Sequence, residues 1–103
     1  MNSHSIPPAP GAYLKNKFLV PLEIAETKLA RDLDVTVSRI FEIIRMRRGI
    51  TPNTALRLAR YFQTTTEFWL KLQLDYDLYQ EKEKSGGLIE HAIRPCQFLV
   101  KTT

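Results

Sequence analysis

Arg45, Arg47 and Arg48 crowd one short stretch of this 103-residue chain. A guanidinium stays charged at any ordinary pH, and its planar fork of N–H donors matches the oxygens of a phosphate. Just upstream stands Thr36-Val37-Ser38-Arg39-Ile40-Phe41-Glu42. On a helix laid in the major groove, the first residues meet the edges of base pairs. Arg39 could then make a bidentate contact with guanine, and Ser38 could bond a base or a phosphate. Val37 and Phe41 suit thymine methyls, and Glu42 could accept from cytosine or buttress Arg39. We therefore assign Val37, Ser38, Arg39, Phe41 and Glu42 to base reading. Arg45, Arg47, Arg48, Thr36 and Lys28 are assigned to phosphate contact, with Arg31, Arg57 and Arg60 as weaker candidates. Phosphate contacts fix position and supply salt-sensitive affinity; base contacts specify sequence. Without nucleic acid, the same residues read as a plain helical core segment with a solvated, arginine-rich end.

No comparable constellation points to catalysis. His4, His91 and Cys96 do not make a metal site by their spacing. The chain shows no glycine-rich phosphate loop and no Ser/His/Asp arrangement. We expect a protein that is not an enzyme and needs no metal and no cofactor. Phe68-Trp69 and Tyr76-Tyr79 could stack a ligand, but at helical spacing they fit better as the closing layer of a helical core.

The elements that must carry these residues are helices. From Ile24 to Leu33 the apolar positions Ile24, Ala25, Leu29, Ala30 and Leu33 trace one helical stripe. Asp34 follows where the chain must turn, and aspartate tolerates the left-handed region. Thr36 is a good N-cap for a helix from 37 to about 46, with Ile40, Ile43 and Ile44 inward. So short a joint makes the two helices cross steeply, and apolar Val35 plugs the angle between them. Thr51 caps a further helix, with Pro52 at its first position. That helix runs to about Phe62 with Ala55, Leu58, Ala59 and Phe62 inward. Thr64 and Thr65 offer caps for a last long helix from Thr66 to about Lys84.

The ends are read differently. Residues 1–10 (MNSHSIPPAP) form an extended arm, because clustered prolines exclude a helix. From Gly11 the chain is helical as far as Pro21, which should stop it. Ser85-Gly86-Gly87 is a flexible break. Beyond it Leu88/Ala92 and Ile89/Ile93 fit an amphipathic turn, and Gln97 to Val100 is a short apolar run. The expected organisation is an arm at 1–10, a helix-turn-helix DNA-binding domain at 11–84 and a tail at 85–103, where the tail makes dimer or partner contacts.

Composition sets outer bounds. Lysine and arginine number 15 against 11 acids, a formal charge of +4 that suits a polyanionic partner. The single cysteine cannot build an internal disulfide framework. No apolar run reaches a membrane span, and Met1 to Gly11 lacks a signal-peptide pattern. We expect a cytoplasmic protein with no membrane contact.

Three blocks carry a family resemblance: GAYLKNKFLVPL, then KLARDLDVTVSRIFEIIRMRRGITPNTALRLARYF, then TTTEFWLKLQLDYDL. Over residues 20 to 79 the chain resembles the HigA-type antitoxins, also described as virulence-associated protein I. These lie within the Xre or phage-repressor-like helix-turn-helix class. The ITPNTALRLARYF and EFWLKLQLDYDL blocks are specific to that family. The resemblance implies an all-α, five-helix lambda-repressor-like domain. It implies an antitoxin of a type II toxin-antitoxin module, neutralising a RelE-like mRNA-cleaving toxin. It also implies repression of its own operon, as a homodimer on a palindromic double-stranded operator. Recognition helices of such a dimer sit about 34 Å apart, one turn of DNA. The resemblance puts Thr36, Val37, Ser38, Arg39 and Glu42 on the DNA-reading helix.

The sequence departs from the family in three places. Ala25-Glu26 stands where Ser-Gln is usual, which removes a cap and sets a carboxylate where a phosphate should lie. Asp34 replaces a turn glycine. Arg45-Met46 replaces a common Asn-Gly, which should lengthen the reading helix. Two other readings are a stand-alone Xre-type transcriptional regulator and a helical protein-interaction module without DNA binding. Glu26 and Glu42 favour the last.

Overall fold

The computed structural model describes residues 6–97, and every regular element among them is helical. Residues 6–9 carry no helix; of the expected arm, residues 1–5 lie outside the described residues. Pro10 opens α1 (Pro10–Leu14) from its first turn, where its missing N–H costs nothing. The rod continues through a π-helical turn, Lys15–Leu19, into α2 (Val20–Leu22). Pro21 therefore does not stop the helix as expected. The Val20 N–H reaches back five residues to Lys15 O, and this wider turn accommodates a residue that cannot donate. The rod ends at Glu23, in the left-handed conformation at φ 55°.

The motif helices are α3 (Glu26–Leu33) and α4 (Val37–Ile44). α3 starts two residues later than its apolar stripe implied. Ala25 is the N-cap, has no side-chain cap to offer, and is exposed. Asp34 adopts φ 58°, so the Asp34 N–H bonds Arg31 O at 3.1 Å and the Val35 N–H bonds Ala30 O at 3.0 Å. This pair of bonds closes a helix C-terminus without glycine. Val35 packs against the core, plugging the joint.

Two further helices complete the fold. α5 (Pro52–Phe62) is capped by Thr51, whose Oγ1 accepts from the Thr54 N–H. α6 (Thr66–Glu81) is capped by Thr65, whose Oγ1 accepts from the Phe68 N–H at 3.0 Å. Past Glu81 the chain makes a second π-helical turn, Lys82–Gly86, and then α7 (Gly87–Ala92). The expected break at Ser85-Gly86-Gly87 is thus helical. Gly87 holds φ −65° and ψ −40°; interior glycine weakens a helix by about 1 kcal/mol without ending it. The described residues form five helical rods, as the resemblance implied: α1–α2, α3, α4, α5 and α6–α7.

The core joins all of them. Leu14, Leu29, Ile40, Ile43, Leu58 and Trp69 are fully buried. The Trp69 ring lies 5.1 Å from Phe18 and 5.0 Å from Phe68, centroid to centroid. Its Nε1–H donates to Thr64 Oγ1 at 2.7 Å, which satisfies the one polar group that burial would otherwise penalise. The aromatic pair at 68–69 therefore closes the core.

Candidate nucleic-acid interface

The interface grows from one cap. Thr36 is extended at φ −71° and ψ 150° and accepts the Arg39 N–H on its Oγ1 at 3.1 Å. The cap fixes the first turn of α4, and the buried Ile40 and Ile43 fix its rotation about its axis. With that face inward, Val37, Ser38 and Phe41 are exposed, and Arg39 and Glu42 are half-buried. Val37 and Phe41 keep 37% and 36% of their surface in solvent. Apolar groups left in water at the head of a helix are available to thymine methyls.

α4 ends at Ile44, against the longer helix expected from Arg45-Met46. Met46 takes φ 60°, and the Arg47 N–H returns to Glu42 O at 2.8 Å. Met46 is held there because its Sδ accepts from the Gly11 N–H at 3.3 Å. The sharp stop turns Arg45, Arg47 and Arg48, all exposed, out beyond the helix. Ser38, Phe41, Glu42, Arg45 and Arg47 surround one shallow depression. Five of the ten assigned residues thus share a single surface, base readers beside phosphate candidates.

Carboxylates sit among these cations. Glu42 Oε1 accepts from Arg48 Nε at 2.9 Å, so Glu42 supports Arg48 rather than Arg39. Glu26 Oε1 accepts from an Arg45 Nη at 3.4 Å, and the same nitrogen donates to Phe41 O at 3.1 Å. The Arg45 guanidinium also lies 4.8 Å over the Phe41 ring. Exposed ion pairs contribute only about 0–1 kcal/mol. They pre-set the arginines without locking them away from a phosphate.

Lys28 is engaged elsewhere. Its Nζ donates to Asp32 Oδ2 at 2.6 Å, and the Tyr61 hydroxyl donates to the same oxygen at 2.6 Å. The hydrogen bond to Lys28, then that to Tyr61, holds the Asp32 carboxyl below its usual range. The bond to Asp32 raises the Lys28 ammonium and, in turn, the Tyr61 hydroxyl. Arg57 is also occupied: one Nη donates to Leu33 O at 2.8 Å and to Asp34 O at 3.4 Å. It ties α5 to the end of α3.

Asn53, absent from the sequence reading, stands between the arginines. Its Oδ1 accepts from Arg39 Nη at 3.3 Å and from Arg57 Nε at 2.9 Å. Asn53 and Arg57 share an i,i+4 spacing on α5 that sequence could have flagged; the Arg39 contact crosses between helices and leaves no local signal.

Comparison with known proteins agrees with this geometry. A helix-turn-helix family model matches residues 17–69. Virulence-associated protein I of Dichelobacter nodosus is 48% identical over 79 residues, 77% of this chain and 73% of its own. Among solved structures, the Pseudomonas aeruginosa antitoxin HigA with the higBA promoter aligns at a TM-score of 0.84 with 40% identity, covering 86% of this chain and 97% of that one. A HigA-family addiction module antidote protein from Coxiella burnetii aligns at 0.83 with 38% identity, covering 89% of this chain and all (100%) of that one.

Proposed function

This chain belongs to the helix-turn-helix family, with HigA antitoxins and virulence-associated proteins among its relatives, and on that premise we propose that it is a DNA-binding antitoxin that represses its own operon. The observation that carries the reading is the Thr36-capped α4, with Val37, Ser38, Arg39, Phe41 and Glu42 on its outer face and three exposed arginines at its end. In this reading α4 enters the major groove, Arg39 reads a base, and Arg45, Arg47 and Arg48 clamp phosphates. The protein acts by binding alone, without catalysis or cofactor, in the cytoplasm. Its second partner is a RelE-like mRNA-cleaving toxin.

The test for the antitoxin role is co-expression with the product of the neighbouring reading frame. The neighbour alone should arrest growth, and this chain should relieve the arrest. A harmless neighbour, beside intact operator binding, leaves a stand-alone regulator; the relation to the Escherichia coli HTH-type regulator YbaQ, 38% identical over 74 residues, favours that second reading.

The reading also includes a homodimer on a palindromic operator, with half-sites about 34 Å apart. Exposed apolar side chains along α6 and α7 support this part of the reading: Leu74, Leu78, Leu88 and Ile89, with Ile93 just past the end of α7, are 60%, 47%, 74%, 49% and 64% exposed. A contiguous apolar patch is the usual mark of an interaction face. Deleting residues 88–103 should shift the mass in solution from dimer toward monomer, measured by light scattering. An unchanged dimer that keeps its affinity for the toxin removes the tail from both interfaces.

A further inference from the structure

In this reading Arg39 would meet DNA on a long side chain with many rotamers to lose. Bidentate recognition of guanine requires its guanidinium plane to be set before contact, because a wandering fork loses the discrimination it offers. On its own helix Arg39 is held at its backbone, where its N–H donates to Thr36 Oγ1 at 3.1 Å. The head is held from α5: Asn53 Oδ1 accepts from its Nη at 3.3 Å. Asn53 is itself anchored. It follows Pro52 in the first turn of α5, and its Oδ1 also accepts from Arg57 Nε at 2.9 Å. Arg57 in turn is fastened to Leu33 O at 2.8 Å, at the close of α3. One amide oxygen therefore links the reading arginine to the turn of the motif through fixed groups. It engages a single Nη and leaves the other guanidinium donors for a base.

Resting on the base-reading role given to Arg39 above, we infer that Asn53 is the positioning residue for Arg39, so that part of the sequence selectivity of α4 is set from α5. A neutral amide suits this task. It orients the cation without cancelling its charge, whereas a carboxylate there would orient it and also repel the DNA backbone.

The test uses the full-length protein, a duplex taken from immediately upstream of the reading frame, and a scrambled duplex of the same composition. Asn53→Ala should reduce the ratio of the two affinities roughly two- to tenfold, the range of one lost hydrogen bond. Its salt slope and melting temperature should stay as in the parent. Asn53→Asp keeps the acceptor, so it should keep the ratio while weakening binding to both duplexes. In an Arg39→Ala background, Asn53→Ala should lower the ratio no further. An unchanged ratio in Asn53→Ala, with a fallen ratio in Arg39→Ala, overturns the inference and leaves the base-reading role standing. An equal loss on both duplexes in Asn53→Ala makes Asn53 a phosphate contact and also overturns it. So does an Asn53→Ala effect that persists without Arg39, which makes Asn53 a base reader. If Arg39→Ala leaves the ratio untouched, the base-reading role itself fails, and the inference with it.

Discussion

Gly11→Ala is expected to destabilise the protein by about 1–3 kcal/mol, the cost of forcing extra volume into a packed contact, and to lower its thermal midpoint by about 4–8 °C for each kcal/mol. A Cβ on Gly11 would lie 2.6 Å from Ile44 O and 2.9 Å from Ile44 C. Those are backbone atoms at the end of α4, and they cannot rotate aside as a side chain would. Either α1 lifts away or the last turn of α4 deforms. Both moves strain the bond from the Gly11 N–H to Met46 Sδ, and with it the left-handed Met46 that turns Arg45, Arg47 and Arg48 outward. The substitution should therefore weaken binding to any DNA as well as stability, although Gly11 itself is buried. Thermal unfolding followed by circular dichroism checks the first effect. A midpoint within 2 °C of the parent (about 0.5 kcal/mol or less) would show that α1 yields at no cost, and that it does not brace α4.

Arg39→Ala and Arg47→Ala are expected to separate base reading from phosphate clamping. Losing Arg39 should cost about 1–3 kcal/mol on the specific operator, or about 5- to 150-fold in affinity, and should relax base preference at one position of each half-site. Non-specific binding should change little. Losing Arg47 should weaken binding to specific and scrambled DNA alike, and lower the slope of log K against log salt by about one unit for each arginine removed. The structure gives each arginine a different setting. Arg39 is half-buried at the head of α4 and held by Asn53; Arg47 is exposed beyond its end. If the two variants show the same pattern on both duplexes, the division of roles along α4 is wrong.

The parts of this fold that sequence made legible are those written in local chemistry. Thr36, Thr51-Pro52 and Thr65 each announce a helix start, because a side-chain oxygen answers a backbone N–H three residues on. The inward faces at Ile40, Ile43, Ala55 and Leu58 follow from helical spacing. Elsewhere tertiary context overrides a local preference. Pro21 should end a helix, but one π-turn absorbs it. Met46 should prolong α4, but a bond from α1 holds it left-handed. Gly86 and Gly87 should break the last helix, yet they stay helical. For the site, sequence set Val37, Ser38 and Phe41 on the outer side of α4, where they are exposed, and Arg45, Arg47 and Arg48 near its end, where they are exposed past Ile44. It could not pair the charged groups: Glu26 with Arg45 and Arg39 with Asn53 are 19 and 14 residues apart, and such pairs exist only once the helices have crossed.

The most direct test of the central claim is fluorescence anisotropy with the upstream duplex and its scrambled counterpart, across a series of salt concentrations. If α4 reads bases while the arginines clamp phosphates, the upstream duplex binds more tightly at every salt concentration. Binding should also weaken steeply with salt, with a slope near −5 for three arginines on each of two protomers at about −0.9 per phosphate. Equal binding to both duplexes contradicts a base-reading role for α4, and the absence of salt-dependent binding to either leaves a helical module that contacts only protein.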